Sequence, residues 1–543
     1  MDNKAFLAIV LSFLVLYFYQ AYFLPPPPAV STQTMEGADS FPPAKGEALK
    51  GAAPAVTASL PAGAAKPAQV EAASGEERPE PVQTKRAAEE VTFEGGLFKA
   101  VLSESGTGGV KSFKLKTYAE KMEEGAERVD RINVNPGDTL PLSLSFKSEG
   151  GVISSGAVAQ LTTEGEGRFL FTQSAGPDVR VERRYRFNPD TYSFDVEVKI
   201  VNGGSSDITG DLSLRLVERD TVEGDQYSFI GQVTKVGEEV EQEAFSDMEE
   251  EAYRLEGDLK WVGFTNKYFI TALLPKGDDK RSVVTTREGE NLISAELTFP
   301  ALSIPAGKEK TLQLTAYSGP KDLSLLVAAG SGLEGAIDFG WFHALAEPLL
   351  RFLKILYAYT GNYGYAIILV TFLIKLVFFP LANKSYKSMK DMQKLQPIMA
   401  EMKEKYKDDK ERMSKEIMEL YRKHRVNPLG GCLPMVVQIP VFIALYNVLI
   451  NAIELRHAPF HFWIMDMSAK DPYYITPVVM GATMFLQQKM SPSAPDPTQQ
   501  KVMMMMPVIF TFMFLNFPSG LVIYWLVNNV LSIAQQYYIL KKS

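Results

Sequence analysis

Residues 364–381 read GYAIILVTFLIKLVFFPL, and this stretch decides the architecture because it is almost entirely apolar apart from Thr371 and Lys375. Such a stretch is long enough to cross a bilayer as a helix. A lysine inside a spanning helix costs roughly 2.5 to 3.5 kcal/mol on insertion scales and usually marks a water-filled cavity or a substrate path. The alternative is that Lys375, six residues before Leu381, reaches the membrane interface with its long side chain.

The charge of the chain divides it into two unlike parts. Residues 1–340 carry 34 Lys and Arg against 51 Asp and Glu, a net charge of −17, whereas residues 341–543 carry 22 against 13, a net charge of +9. The first part is therefore predicted to be an acidic soluble region behind one apolar segment, and the second a basic membrane region. The single cysteine, Cys432, excludes an internal disulfide.

The N-terminal part is predicted to be an anchor followed by a tether. Ala5 to Leu24 is apolar and long enough to span a bilayer, and Pro25 to Pro28 follow it in place of a small-residue cleavage site. This favours a transmembrane signal anchor at 1–24 over a signal peptide that is removed. Residues 25–90 are rich in Pro, Ala, Gly, Glu and Lys and almost lack aromatic residues, which predicts a disordered tether.

Residues 91–335 carry the alternation that is typical of half-buried antiparallel strands. The clearest runs of alternating apolar residues are Phe194, Val196, Val198 and Ile200, then Leu212, Leu214 and Leu216, and then Ile293, Ala295, Leu297 and Phe299. Short turns such as Asn202-Gly203-Gly204 separate the runs. The pattern predicts a large antiparallel β-sandwich. No catalytic cluster stands out in it, so we expect a binding or scaffolding domain.

Residues 336–543 are predicted to form the membrane part of the chain. Within it, residues 338–359 place apolar side chains on one helical face and charged ones on the other, which predicts an amphipathic helix in the membrane interface. The alternative is a helix that packs against the soluble domain. Four apolar spans follow the Lys375 span, namely Leu433 to Ile453, Tyr473 to Gln488, Val502 to Phe517 and Leu521 to Leu540.

Residues 384–425 contain 13 Lys and Arg against 8 Asp and Glu, so the positive-inside rule places them in the cytoplasm. With the anchor, the chain then has six transmembrane helices, five of them in the core, with both termini in the cytoplasm and the β domain outside. Two of the spans have only about 16 residues and reach about 24 Å, which is short for a hydrocarbon core of roughly 30 Å. A bundle with short spans thins the membrane and lowers the barrier to a polar segment crossing beside it.

The same residues, 384–425, are predicted to form a helical hairpin. Apolar residues recur at intervals of three or four on both sides of Asp408-Asp409, as in two amphipathic helices. Flexible methionine side chains suit varied partners, and this segment has Met389, Met392, Met399, Met402 and Met413. We expect the hairpin to receive substrates, and the alternative is a helical pair that packs only on itself.

Polar residues in the spans point to one site. Four of them share a face of the last helix because they are spaced four, four and three residues apart: Tyr524, Asn528, Ser532 and Gln535. Interhelical hydrogen bonds worth about 0.6 kcal/mol each account for most residues of this kind. They do not account for Lys375, because Glu454, the only acidic residue in the five helices, lies at an outer end. A buried cation without a counter-ion is expensive, so water or a ligand's carboxylate is its expected neighbour.

Several motifs together resemble the YidC/Oxa/Alb family of membrane protein insertases. The resemblance covers the whole chain, strongly from about residue 340 onward, and rests on TFLIKLVFFPL at 371–381, NPLGGCLPMVVQIP at 427–440, Gln487 to Pro492, Asp496-Pro497, Gln499-Gln500, Met506-Pro507 and FPSGLVIYW at 517–525. The uncleaved anchor and the outer β domain are similar to the Gram-negative form. The chain is therefore expected to be an insertase and folding chaperone for nascent proteins of the bacterial inner membrane, acting alone or beside the Sec translocon.

The resemblance also implies how such a protein works. A hydrophilic groove, open to the cytoplasm and to lipid but closed outside, receives the polar tail of a nascent protein, and a cation in it attracts acidic residues. The residues assigned to this substrate-binding groove are Lys375, Thr371, Gln438, Tyr524, Trp525, Asn528, Ser532 and Gln535. The resemblance implies no enzymatic activity, cofactor, nucleotide or metal, adds the ribosome and the lipid bilayer as partners, and fits a monomer when the protein acts alone.

Two features depart from the family pattern. The groove cation is typically arginine in the family, whereas this chain has Lys375, a compact charge that depends more strongly on hydration. The sequence stops at Lys541-Lys542-Ser543, without the long basic tail of some members. Ribosome contact is therefore expected to use residues 384–425 and the 489–501 loop.

Two other functions remain open from the residues alone. A solute transporter or channel also places a charged residue amid polar helices, although the last five spans show no evident internal repeat of the kind that many transporters have. A membrane-tethered enzyme is the other, because sugar-processing enzymes use large sandwiches.

Overall fold

The computed structural model describes residues 88–543 except 133, 136, 149–150, 154–157, 221–228, 249–251, 289–290, 408, 425, 427–432, 492–496 and 543. The predicted anchor at 1–24 and the tether as far as residue 87 lie outside the described residues. So do Cys432 with the rest of 427–432, and the loop residues 492–496.

The described residues between Glu90 and Pro320 form nineteen strands. They are β1 (Glu90–Glu94), β2 (Phe98–Ser103), β3 (Gly109–Ala119), β4 (Arg128–Asp130), β5 (Ser143–Ser148), β6 (Gly151–Ile153), β7 (Gln160–Gly165), β8 (Arg168–Ser174), β9 (Val179–Phe187), β10 (Ser193–Asn202), β11 (Ile208–Arg219), β12 (Gly231–Val236), β13 (Glu239–Ala244), β14 (Tyr253–Gly257), β15 (Leu259–Thr265), β16 (Phe269–Pro275), β17 (Arg281–Glu288), β18 (Leu292–Ile304) and β19 (Glu309–Pro320).

The strands pair antiparallel in three sheets. Their orders are β1-β2-β3-β4, β13-β12-β15-β16-β19-β10-β9-β8-β7 and β14-β17-β18-β11-β5-β6. In β10 the apolar residues Phe194, Val196, Val198 and Ile200 are all buried, because successive side chains of a strand point to opposite faces. The two larger sheets contact each other through β10 with β18 and β11 with β15. The predicted large antiparallel β-sandwich is confirmed.

The rest of the described chain is helical. Its helices are α1 (Leu323–Ala329), α2 (His343–Thr360), α3 (Tyr363–Lys405), α4 (Lys410–Lys423), α5 (Leu433–Asn451), α6 (Ile475–Met490), α7 (Pro497–Phe514) and α8 (Ser519–Lys542), with short 3₁₀ turns at Leu333–Ala336, Gly340–Phe342 and Ile453–Leu455. Asn362 caps α3, since its side chain accepts hydrogen bonds from the backbone of Gly364 and Tyr365. The cap fixes where the helix that carries Lys375 begins.

The four later spans are shifted by up to five residues at their ends, and two further boundaries differ in ways that change the architecture. The interface helix predicted at 338–359 begins at His343, after the 3₁₀ turn. The Lys375 span and the first arm of the predicted hairpin form one continuous helix of 43 residues, α3, with Pro380 and Pro397 inside it. A proline removes one helical hydrogen bond. The long helical segments on either side of each proline keep α3 continuous.

Only α3, among the described helices, is long and apolar enough to cross a membrane by length and composition alone. Residues Val436–Asn451 in α5 and Lys501–Phe514 in α7 are apolar but shorter. The expected count of six spans therefore stays a prediction.

The β-sandwich and the helices contact each other through side-chain hydrogen bonds. Arg456, just after α5, donates to the carbonyl oxygen of Ala119 at 2.7 Å. Asn447 of α5 donates to the carbonyl oxygen of Phe339 at 2.7 Å. These contacts attach the sandwich and the segment that follows it to one end of α5.

Lys354 of α2 connects the start of α1 with the turn after α5. Its Nζ lies 2.8 Å from Asp322 Oδ2 and 3.2 Å from Glu454 Oε1. Burial raises the pKa of Glu454, and the charge of Lys354 only partly opposes this. Burial acts in the same direction on Asp322, but the hydrogen bond and charge of Lys354 hold the pKa of Asp322 below its usual value. One cation thus holds α2 to both neighbours.

Replacing Lys354 by methionine is expected to destabilise this junction by about 3 to 5 kcal/mol, because one change leaves a buried carboxylate without its cation. The matched control is Arg351→Met on the same helix, whose pair with Glu347 is more exposed and should contribute less than about 1 kcal/mol. Thermal unfolding of the full-length protein in detergent measures both. Equal losses in the two variants would contradict the role given to Lys354.

Candidate functional site

A chain of hydrogen bonds joins α3 to α8 at Lys375. The Lys375 Nζ donates to Ser532 Oγ at 2.8 Å, and the Ser532 hydroxyl donates to the Asn528 carbonyl oxygen at 2.7 Å. Residues 528 and 532 are one turn apart, which lets one face of α8 present both groups. The spacing in the sequence therefore corresponds to a real polar contact between the two helices.

Gln438 brings α5 to the same place. Its Nε2 donates to Asn528 Oδ1 at 3.2 Å. Gln535, about one turn beyond Ser532, donates to the Phe379 carbonyl oxygen of α3 at 3.4 Å. Four of the assigned groove residues on α5 and α8 thus connect, directly or through one another, to the helix that carries Lys375.

The other assigned residues lie in different surroundings. Thr371 is buried, and its hydroxyl donates to the Ile367 carbonyl oxygen of its own helix at 2.6 Å. Tyr524 is buried near Phe442, and its hydroxyl also lies beside the side chain of Gln438, so it borders the polar contact. The Trp525 ring packs edge-on against Phe442 at 4.7 Å between centroids and against Phe514 at 4.6 Å. Trp525 therefore belongs to an aromatic cluster between α5, α7 and α8 rather than to the Lys375 contact.

Two polar residues of α8 were not assigned from the sequence. Asn529 is buried, with its Nδ2 3.5 Å from Thr483 Oγ1 of α6, and buried Gln536 donates to the Met490 carbonyl oxygen at 2.9 Å. Their spacing of seven residues marks a second polar stripe, which attaches α8 to α6. That spacing was the available signal for these two residues.

Lys375 has no carboxylate within ion-pair distance in the described part of the chain, and its hydrogen bond goes to Ser532. The helix face beside it is open and apolar, with Val377 73% exposed and Phe372 and Leu376 also exposed. One side of α3 therefore offers a partly buried cation, and another side offers an apolar surface that suits lipid or an apolar segment. The described residues contain no group of three or more His, Cys, Asp or Glu that could hold a metal ion.

The hairpin helices α3 and α4 pack on each other beyond the bundle. Their small core consists of Leu395, Met399 and Leu420, and Tyr421 donates from its hydroxyl to Met399 Sδ at 3.3 Å. Met402 packs against this core. Met389, Met392 and Met413 keep part of their surface exposed, and Met418 and Ile398, which were not assigned from the sequence, are exposed as well. The methionines therefore divide between the hairpin core and its surface.

The chain is similar in sequence to known protein families and relatives, and in structure to a solved protein. The family description "60Kd inner membrane protein" matches residues 355–543, and the description "YidC periplasmic domain" matches residues 90–352. A protein of Syntrophus aciditrophicus named membrane protein insertase YidC is 44% identical over all of both chains. One of Geotalea daltonii with the same name is 42% identical over all of this chain and 99% of its own. A crystal structure of an active YidC insertase is similar over 84% of this chain and 95% of its own, with 20% identity and a TM-score of 0.37.

Proposed function

The chain belongs to the YidC family of membrane protein insertases, and on that premise we propose that the groove around Lys375 receives the polar tail of a nascent membrane protein. The chain is an inner-membrane insertase with a periplasmic β-sandwich domain and a helical region, and it acts on nascent membrane proteins. The solute transporter and the sandwich enzyme are set aside, because the full-length relatives carry the insertase name.

The observation that carries the proposal is the hydrogen-bonded, partly buried Lys375 that has no carboxylate partner among the described residues. An ammonium group has three N–H donors, and Ser532 accounts for one. An acidic residue of an entering tail would supply the missing counter-ion, and Asn528 and Gln438 would offer it further polar partners. The apolar segment that follows such a tail would then leave along the exposed face of α3 beside Val377 and enter lipid.

We place this groove in a protein with six transmembrane helices and both termini in the cytoplasm. The support is the charge of residues 384–425, which the positive-inside rule assigns to the cytoplasm, and the periplasmic assignment of residues 90–352. The helix α2 would then lie in the periplasmic interface, and the apolar helices α5 to α8 would cross beside α3.

The partners proposed for the cytoplasmic side are the ribosome and the Sec translocon, with a monomer as the form that acts alone. Support for the ribosome is the basic surface of the hairpin, which suits a polyanion. Both α3 and α4 end in basic residues, Lys403 and Lys405 on one and Arg422 and Lys423 on the other. Two more lysines flank the connection between α6 and α7, namely Lys489 in the last turn of α6 and Lys501 in the first turns of α7, so the segment predicted as a loop at 489–501 is helical at both ends.

Site-specific crosslinking tests the groove. A photoreactive residue at Gln438 or Asn528 should crosslink to stalled nascent chains that carry an acidic tail, because these two side chains bond to each other beside the contact between Lys375 and Ser532. The matched control is a photoreactive residue at Val377, on the open face of α3, which should crosslink to the apolar segment and to lipid instead. Equal crosslinking of the polar tail from both faces would contradict a groove around Lys375.

The periplasmic domain is expected to be largely dispensable for the insertion step. Deleting residues 91–320 removes the sandwich but leaves Asp322, Lys354 and Glu454, so the interface helix keeps its ion pairs. Insertion of substrates with short tails should stay within about twofold of the wild type, since the sandwich supplies no residue to the Lys375 contact.

The control for that deletion is a second one that also removes residues 321–342, which should lower the amount of folded protein because Asp322 and the Phe339 contact to α5 are lost. If the 91–320 deletion abolishes insertion although the helical bundle is correctly oriented, the active surface lies on the periplasmic side and not around Lys375.

A further inference from the structure

The α5–α6 loop, residues 456–474, is folded on itself between the 3₁₀ turn after α5 and the start of α6. The backbone N–H of Met467 donates to the Ala458 carbonyl oxygen at 3.0 Å, and that of Phe460 donates to the Ile464 carbonyl oxygen at 2.9 Å. The side chains of Ile464 and Met467 are buried. These contacts hold the two halves of the loop together, so a helix attached to one half has a defined position relative to a helix attached to the other.

The first half of the α5–α6 loop is attached to the start of α3. Asn362, the residue that caps α3, donates from its Nδ2 to the carbonyl oxygens of Pro459 at 3.0 Å and Phe460 at 3.2 Å. The Phe460 ring lies directly against Gly364, where a Cβ atom would come within 2.0 Å of a ring carbon. Glycine at position 364 therefore allows the first turn of α3 to pack directly on the loop.

The second half of the α5–α6 loop is attached to the start of α8. The backbone N–H and the hydroxyl of Ser519 both donate to the Ala469 carbonyl oxygen, at 2.7 Å and 2.8 Å. The next residue, Gly520, donates its N–H to the Met467 carbonyl oxygen at 2.9 Å. Ser519 is fully buried. The two helices that carry the Lys375 contact thus begin on the same folded loop.

Lys375 and Ser532 lie equally far from these two attachment points. Asn362 precedes Lys375 by thirteen residues, and Ser519 precedes Ser532 by thirteen residues. At a rise of 1.5 Å per residue, each lies about 20 Å along its helix. Both helices run in the same direction from the loop, because the later contact in α3, at Phe379, is also the later contact in α8. Equal lengths of helix therefore bring the ammonium group and the hydroxyl to the same level.

We propose that the α5–α6 loop sets the register between α3 and α8, with Asn362 and Ser519 as positioning residues that place Lys375 opposite Ser532. A slip of α3 by one turn, about 5.4 Å, would bring Lys375 opposite Asn528 instead. The effect on insertion rests on the proposed function of the groove, whereas the register of the two helices does not depend on it. The alternative is that packing between α3 and α8 alone sets the register.

Crosslinking between α3 and α8 in the full-length protein measures the register directly. In a Cys432→Ser background, Lys375→Cys is combined with either Ser532→Cys or Asn528→Cys, so the introduced cysteines are the only ones. A short bifunctional thiol reagent is added to membranes that contain the protein, and mass spectrometry of the digested protein gives the rate of each crosslink. Because Lys375 is replaced in both pairs, its hydrogen bond to Ser532 cannot hold the register in this experiment.

The variant that releases α3 from the loop is Asn362→Asp. An aspartate keeps an oxygen that accepts the backbone N–H of Gly364, as Asn362 Oδ1 does at 2.8 Å, so α3 keeps its cap. An ionised aspartate has no N–H to donate to the loop. Ser519→Ala is added in a double variant to weaken the attachment of α8. The matched control is Asn451→Asp at the end of α5, because the Asn451 Nδ2 donates to the Asp338 carbonyl oxygen at 2.9 Å.

With an intact loop, and in the Asn451→Asp control, the 375–532 pair is expected to crosslink about fivefold faster than the 375–528 pair. In Asn362→Asp this preference should fall to about twofold, and in the double variant it should disappear. An unchanged preference in the double variant would overturn the proposal in favour of packing alone. Equal loss of both crosslinks would overturn it as well, because the loop would then hold α3 and α8 together without setting their register.

The consequence for insertion is measured separately, in a protein that keeps Lys375 and Ser532. Asn362→Asp should lower insertion of a substrate with an acidic tail by about threefold. Insertion of the same substrate with a neutral tail should change less, since the variant alters the position of the cation. A changed crosslinking preference without this difference between the tails would support the register and contradict the proposed function of the groove.

Discussion

Replacing Lys375 by glutamate is expected to reduce insertion of substrates with acidic tails by more than a hundredfold. At about 4 Å and an effective dielectric near 20, the attraction between Lys375 and a carboxylate is on the order of 4 kcal/mol before desolvation costs. Glutamate turns that attraction into repulsion. Lys375→Ala removes only the attraction, so it should cost about tenfold to a hundredfold, in line with roughly 1.5 to 3 kcal/mol for a charged hydrogen bond.

Whether Lys375 attracts acidic tails is tested by inserting one substrate with and without its acidic tail residues. Lys375→Arg should insert both forms nearly as well as the wild type, because the charge is retained. Ser532→Ala tests the positioning of the cation: it removes the partner of Lys375 at 2.8 Å but leaves the charge, and should have a smaller effect than Lys375→Ala. If the three Lys375 variants affect acidic and neutral tails equally, Lys375 is structural, and a lysine that reaches the interface becomes the better account.

Deleting residues 386–421 is expected to abolish insertion while leaving the protein integrated in the membrane. The deletion removes the part of α3 that lies beyond the Lys375 contact, together with most of α4. The membrane part of α3 and its bond to Ser532 remain, so the groove stays assembled but loses the surface expected to deliver substrates to it.

Two point variants separate delivery from folding of the hairpin. Leu395→Ala empties part of the hairpin core and should destabilise the hairpin by about 2 to 5 kcal/mol. Met418→Ser changes an exposed methionine and should weaken crosslinking of nascent chains without loss of hairpin stability. Protease protection and an insertion assay measure both. Normal insertion by the 386–421 deletion would refute a receiving role.

The strands and part of the polar contact at Lys375 follow from local periodicity. Alternation at Phe194 to Ile200 predicts the buried face of β10, because the side chains of a strand alternate. The spacing of Asn528 and Ser532 predicts a shared helix face for the same kind of reason. Trp525 follows Tyr524 by one residue, or about 100° around a helix. It therefore faces the aromatic rings of Phe442 and Phe514, although it belongs to the same motif.

Other features depend on contacts that local pattern does not encode. Asp322, Lys354 and Glu454 are far apart in sequence, and only the fold brings them together. The attachment of α3 and α8 to the α5–α6 loop likewise depends on residues that are far apart in sequence. The continuity of α3 was missed because Pro380 and the charged residues after it are typical of a helix end, whereas a proline between long helical segments can be accommodated.

The unbroken helix α3 has a mechanical consequence. Its 43 residues make a rod of about 64 Å at 1.5 Å per residue. Pro380 lacks the N–H that would bond to the Leu376 carbonyl oxygen, so α3 can bend five residues beyond Lys375, as it can at Pro397. The helix from Pro380 to Lys405 is about 37 Å long, so a bend of about 20° at Pro380 displaces the end at Lys405 by roughly 13 Å. The segment before Pro380 stays hydrogen-bonded to Ser532 through Lys375. The end of α3 at Lys405 can therefore change position while the segment that carries Lys375 stays in place.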